Sequence, residues 1–291
     1  MNVSSFCSHL LKDIDEIERI SSLVSLLMEP SAGYYSTSNE PLVKKSRSLL
    51  SHFQFKFDCG ALGKASFVSH IEPLIGSLRH PYFPCRDQER TLNDRGYLLL
   101  ASALHSPYRF TSGSVKSPSP RVLVFDLGAS TYDQGLGGAS QEWFFKKLTS
   151  RGFLIDSYYA FEVALLPPQD IFDPIPKSLL PHYHFFNIPA SSDPKDDANP
   201  LNMIKAISRW EDYVVLKLDI DNSAVEMEFM EQILSDRNLQ PLIDELFFQH
   251  HVNFQPLNEY WNTSEESMEL SDSYELLTRL RNLGIRAHEW N

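Results

Sequence analysis

The chain has no apolar run long enough to cross a membrane: its longest strongly apolar stretch, Tyr97 to Leu104, falls far short of the about 20 residues a spanning helix needs. A membrane partner is therefore not expected. Basic clusters are missing as well. Lysine and arginine occur in short pairs such as Lys44-Lys45 and Lys146-Lys147, and the formal net charge of -12 would repel a phosphate backbone, which argues against a nucleic-acid partner. Cysteine is scarce: Cys7, Cys59 and Cys85 are far apart and form no Cys-x-x-Cys pair, so neither a zinc ribbon nor a redox pair is indicated. The stretch Met1 to Leu11 lacks the basic start and apolar core of a secretory leader, and a reducing, cytoplasmic setting is the expectation. The sequons at Asn2 and Asn262 then read as chance matches.

What is present divides at a Ser-, Pro- and Gly-rich stretch between Ser106 and Pro120, a composition that buries little and marks a linker. It suggests an amino-terminal region over residues 1–118 and a second domain over 119–291. In the first, apolar residues at three- and four-residue steps predict a helix over Asp13 to Met28, with further helices over Pro41 to Phe57, Ser66 to Leu78 and Arg90 to His105. This region is expected to be mostly helical and to act as a cap or substrate-choosing element.

In the second, short β-rich apolar runs alternate with helical patterns. Strands are expected over Val122 to Phe125, Ile155 to Phe161, Tyr183 to Ile188, Tyr213 to Leu218, Leu242 to Phe248 and Ile285 to Trp290. Helices are expected over Ser140 to Ser150, Pro200 to Trp210, Ala224 to Leu234 and Ser271 to Leu283. The fold class is α/β, a Rossmann-like, mainly parallel sheet with helices on both faces.

Parallel α/β sheets bind ligands at the carboxyl ends of their strands. At the first such end, Asp126 is followed by the small-residue turn Gly128-Ala129-Ser130, and Tyr132 lies in the loop beyond. The alternative for this segment is a plain strand-to-helix turn. The phosphate fingerprint Gly-x-Gly-x-x-Gly is missing, because the next glycines are Gly135, Gly137 and Gly138, which points away from a pyrophosphate and towards a nucleoside without one. The second strand ends in Glu162, placed to accept hydrogen bonds from ribose hydroxyls; a solvated strand-end glutamate is the bland alternative.

Asp219 and Asp221 end a further strand, and alternation puts both carboxylates on one face, where they can bind a hard cation or accept a proton. His250 and His251 end the next strand, so Asp219, Asp221, His250 and His251 are the candidate catalytic residues, with Asp219 also a candidate cofactor contact. Asp219, Asp221 and His250 form a candidate divalent-metal set. Taken singly, each histidine is more commonly a core or surface residue. Glu226, Glu228 and Glu231 read mainly as the solvated face of a helix, with Glu226 a minor site candidate.

The pieces Phe125-Asp126-Leu127-Gly128, Phe161-Glu162, Val215-Leu216-Lys217-Leu218-Asp219-Ile220-Asp221 with Glu226 after it, and Glu245-Leu-Phe-Phe together resemble class I S-adenosylmethionine-dependent methyltransferases, in particular the FkbM-like group. The resemblance covers about Arg121 to Asn291. It implies a seven-stranded sheet, S-adenosylmethionine as cofactor, the loop Asp126 to Tyr132 around its methionine part, Glu162 on the ribose, and the segment at Ile188 near adenine. It also implies methyl transfer to an oxygen or nitrogen of a small molecule or sugar, with a divalent metal as an optional aid. The chain departs from the family where the glycine loop is thinned and where Ile220-Asp221-Asn222 stands for the usual Val-Glu-Gly. Two rivals remain open: a nucleotide-sugar glycosyltransferase using Asp219-Ile220-Asp221 on a metal, and a non-catalytic binding module of methyltransferase fold.

Overall fold

A computed structural model describes residues 51–58, 64–72, 74, 95, 98, 100, 120–135, 139–253 and 267–290. The chain divides into two compact units, Met1–Ser114 and Val115–Asn291.

In the first unit, strands β1 (Ser51–Asp58) and β2 (Lys64–Ile71) pair antiparallel. This corrects the expectation of helix over Pro41 to Phe57 and Ser66 to Leu78. His52-Phe-Gln-Phe-Lys-Phe57 alternates polar and aromatic residues with a period of two, a strand pattern rich in residues that favour pleated surfaces. The helix expected over Asp13 to Met28 lies outside the described residues. Of Arg90 to His105 only residues 95, 98 and 100 are described, and none is helical.

The second unit is a Rossmann-like α/β fold. Its strands are β3 (Val122–Leu127), β4 (Ser157–Phe161), β5 (Tyr183–Phe186), β6 (Tyr213–Leu218), β7 (Glu245–Phe248) and β8 (Arg286–Glu289). They form one six-stranded sheet in the order β5-β4-β3-β6-β7-β8, with every pair parallel. The described residues thus supply six strands where the family resemblance implied seven. Helices α1 (Ser140–Ser150), α2 (Pro168–Phe172), α3 (Pro200–Ile207), α4 (Ser223–Ser235) and α5 (Leu270–Asn282) lie between them.

The chain runs from β3 outwards to β5, then crosses back past β3 to β6 and runs outwards the other way. Right-handed crossovers put helices of the two halves on opposite faces of the sheet. On one face α1 buries Phe144, which stacks on Trp290 and meets Phe247 edge-on. On the other, Asn199 at the start of α3 donates to Gln232 of α4. The strands are buried throughout at β3, β6, β7 and β8; at β3 and β6 this suits near-continuous apolar runs, whereas at β7 and β8 Glu245 is buried with Arg286 and His288 as its partners.

The reversal of direction falls between β3 and β6, and a crevice opens at the carboxyl ends of such a pair. At the amino ends, Arg121 closes the same seam: its backbone N–H donates to Asp212 at 3.0 Å and its carbonyl accepts from the N–H of Tyr213 at 2.7 Å.

Candidate functional site

Two charges face each other inside the sheet beneath α1. Asp126 and Lys217 are direct register partners on β3 and β6, both buried, with Lys217 Nζ 3.1 Å from the Asp126 carboxylate. Charges buried this deeply must be paired and hydrogen-bonded. Asp126 also accepts from Ser140 Oγ at 2.8 Å and from the Tyr158 hydroxyl at 2.7 Å. Burial, followed by the nearby Asp126 charge, pushes the Tyr158 hydroxyl well above its ordinary pKa, so it stays a donor. Lys217 further donates to the carbonyls of Leu127 and Gly128, at 3.1 and 2.8 Å, and lies 3.5 Å from Asp219. Asp126, expected at the ligand, is instead an internal anchor, and Lys217 clamps the loop that follows it.

That loop is closed on itself. The N–H groups of Gly128 and Ala129 both donate to the Phe161 carbonyl at 3.0 Å, and the N–H of Ser130 donates to Glu162 Oε2 at 2.9 Å. Gln141 Nε2 donates to the carbonyls of Ala129 and Ser130, each at 3.1 Å, and is oriented by the Tyr183 hydroxyl on its oxygen. The amides that would cradle a phosphate are thereby already used. Gly128 has φ +76°, and a Cβ there would sit 1.7 Å from the Asp219 carbonyl oxygen. Glycine is required here for close approach to the β6 tip. Tyr132 is buried edge-on against Phe145, with its hydroxyl pushed up to about 12 first by burial and then by Glu142.

Glu162 is half-buried at the end of β4, where Oε1 accepts from the N–H of Ala164 at 2.8 Å and Oε2 from Ser130. Asn187, just past β5, donates to the carbonyls of Glu162 and Ala164 and accepts from the N–H of Leu166, which ties the β4 and β5 tips together. Three aliphatic side chains at these tips are left exposed: Val163 at 66 %, Leu165 at 88 % and Ile188 at 42 %. An acid rimmed by exposed aliphatics suits a polar ring with an apolar one attached.

At the β6 tip the expected pair separates. Asp219 accepts from Trp290 Nε1 at 3.1 Å, whereas the Asp221 side chain is 70 % exposed on a residue with φ +54°. His251 turns towards this tip, held by Nε2 at 2.8 Å from Gln249 Oε1, with Nε2 also 3.9 Å from Asp221 Oδ1 and Nδ1 3.5 Å from Ser223 Oγ. His250 is held differently: Nδ1 lies 2.8 Å from Ser273 Oγ on α5, and its ring stacks on Phe248. Among the described residues, no group of three or more His, Cys, Asp or Glu is arranged to hold a metal ion. The set Asp219, Asp221 and His250 accordingly forms no such group.

Glu226, in the first turn of α4, is buried rather than solvated. Its Oε1 accepts from the N–H of Ile220 at 2.8 Å, which brings the carboxyl against the Asp219-Ile220-Asp221 tip. Burial pushes it up to about 8, only partly opposed by that hydrogen bond and reinforced by Asp219 and Asp221, so it carries a proton at neutral pH.

Lys217, Gln141, Asn187 and Trp290 are site residues without a role assigned from sequence. The signal that could have found Lys217 is a cation inside an otherwise apolar strand. In comparisons with protein-family models, curated proteins and solved structures, the chain matches none. Among the described residues no helix is long and apolar enough to cross a membrane.

Proposed function

We propose that residues 119–291 bind S-adenosylmethionine, or a nucleoside close to it, at the tips of β3, β4 and β6, and transfer its methyl group to an oxygen or nitrogen of a small molecule or sugar. The observation that carries this reading is Glu162. It is a carboxylate held by two backbone N–H groups at the β4 tip, beside the exposed Val163, Leu165 and Ile188. Ribose hydroxyls suit the first and an adenine ring the second, while the closed Gly128 to Ser130 loop disfavours a pyrophosphate.

S-adenosylmethionine, held at Glu162, would supply an electrophilic methyl group; what falls to this chain's residues is to hold the acceptor oxygen or nitrogen in line with it and to take the acceptor's proton. His251 is the proposed base: Nε2 donates to Gln249 Oε1 at 2.8 Å, which leaves Nδ1, 3.5 Å from Ser223 Oγ, as the nitrogen that takes the proton, whereas Asp219 is engaged by Trp290 and Lys217, and His250 by Ser273 through Nδ1. Asp126, Gly128, Ala129, Ser130 and Tyr132 shape the loop rather than hand donors to the ligand.

A second reading has its own observation. The same closed loop suits a module that keeps the fold and binds without catalysing. Calorimetry with S-adenosylmethionine and S-adenosylhomocysteine, alongside mass spectrometry of any ligand retained through purification, tests both. Binding that is lost in Glu162→Ala is expected; no binding of either compound would remove the proposal. Methyl transfer from labelled cofactor to small-molecule pools separates enzyme from module.

A further inference from the structure

We propose that Glu226 is the residue by which the β6 tip selects a positively charged ligand over a neutral one of the same shape. The inference rests on the nucleoside-binding reading above and adds to it a basis for discrimination by charge.

Acidic groups gather at this tip from three elements: Asp219 and Asp221 at the end of β6, Glu226 from α4, and Glu162 from β4, close enough to act on Asp221. The cations that reach the group are Lys217 and, when protonated, His251. Lys217 is shared between Asp126 at 3.1 Å, Asp219 at 3.5 Å and the Leu127 and Gly128 carbonyls, so one ammonium answers several acids. The tip is therefore short of positive charge.

Glu226 feels this most. It is 1 % exposed, one carboxyl oxygen accepts from Ile220, and Oε2 has no hydrogen-bond partner among the described residues. A buried carboxyl oxygen left without a partner is costly and calls for explanation. Holding a proton keeps the group neutral while the crevice is empty. A sulfonium or ammonium arriving beside Asp219 supplies the missing charge, and Glu226 can then ionise, its proton leaving to solvent. Glu226 does not need to touch the ligand, because charges interact strongly through a poorly polarisable interior. It acts as a positioning residue that sets the charge of the tip. S-adenosylmethionine and S-adenosylhomocysteine differ at sulfur, cationic in the first and neutral in the second, and the tip should distinguish them.

The test is calorimetry of both compounds on the full chain and on Glu226→Gln, in two buffers of different ionisation enthalpy near neutral pH. Glutamine keeps the oxygen that accepts from Ile220. The wild-type chain is expected to release more protons on binding S-adenosylmethionine than on binding S-adenosylhomocysteine; the amino group common to both cancels in the comparison. In Glu226→Gln the excess release should vanish and the preference for the sulfonium should fall by about 10-fold, the change that one neighbouring charge commonly makes. If the variant does not fold, Asp221→Asn replaces it: Asp221 is the other raised carboxyl at the tip, so excess release that persists in Asp221→Asn comes from Glu226, and its loss there overturns the assignment. Equal proton release for the two ligands, or an unchanged preference in the variant, overturns this inference and leaves the nucleoside reading standing. Failure of both compounds to bind the wild-type chain overturns both.

Discussion

Lys217 Nζ and the Asp126 carboxylate lie 3.1 Å apart at register-matched positions of β6 and β3, and both side chains are buried. The ammonium also clamps the carbonyls of Leu127 and Gly128, so this pair ties the sheet to the first loop of the site. Removing one member of a buried pair strands the other, at a cost of about 3–5 kcal/mol. Lys217→Met should therefore lose about that much in urea unfolding, while Lys217→Met with Asp126→Asn should lose clearly less than the sum of the single changes. Additive losses would show that the two charges do not depend on each other.

Gly128 and Gly284 both have positive φ, +76° and +99°, but only Gly128 is crowded. A Cβ at Gly284 meets nothing within 4 Å, so Gly284→Ala should cost only the conformational term of about 1–2 kcal/mol. Gly128→Ala adds a collision with the Asp219 carbonyl, a backbone atom that cannot swing aside, and should be markedly less stable than Gly284→Ala. Comparing the two melting temperatures checks this; similar values would mean that the β3 and β6 tips are not in close contact.

Glu162 holds the N–H groups of Ser130 and Ala164. Hydrogen bonds to a charged group contribute about 1.5–3 kcal/mol, so Glu162→Ala should speed local amide exchange at these two residues by about 10-fold or more. Glu162→Gln, which retains an accepting oxygen, should have a smaller effect. Unchanged protection of Ser130 in Glu162→Ala would mean that Gln141 and Lys217 alone fix the loop.

Glu226 makes stability depend on pH with a definite sign. Its folded value of about 8 lies above that of an unfolded glutamate, so between the two the folded chain keeps a proton that the unfolded chain has released. The contribution is fully present below the unfolded value. It falls as pH rises towards 8, by at most about 1.4 kcal/mol per pH unit. Glu226→Gln removes this slope, so the variant should gain on the wild type as pH rises through that window. Denaturation midpoints of both proteins at mildly acid and mildly alkaline pH measure it, and parallel pH profiles would contradict a protonated Glu226.

The central strands of the second unit were legible because their runs are apolar on both faces: Tyr213 to Leu218 is found as expected, and β3 extends the expected strand only to Leu127. The helix over Ser140 to Ser150 is likewise found as expected. The antiparallel pair of β1 and β2 was missed because short aromatic runs fit a helical period nearly as well as a strand one, and partner pairing decides between them. The short α2 was missed too, since Pro168–Phe172 has too few residues to show a period.

For the site, sequence determined which residues stand at strand ends: Asp126, Glu162, Asp219, Asp221, His250 and His251, because strand length and alternation are local properties. Tertiary structure decided what each end faces. Register set Asp126 opposite Lys217 and turned it from a ligand candidate into an anchor. Packing of α5 held His250 against Ser273, while Gln249 held His251 towards the Asp221 side of the tip. The seating of α4 buried Glu226 against Ile220, where its position on a helix had suggested a solvated face. Charge state and direction depend on burial and on partners distant in sequence, and those exist only once the sheet has been assembled.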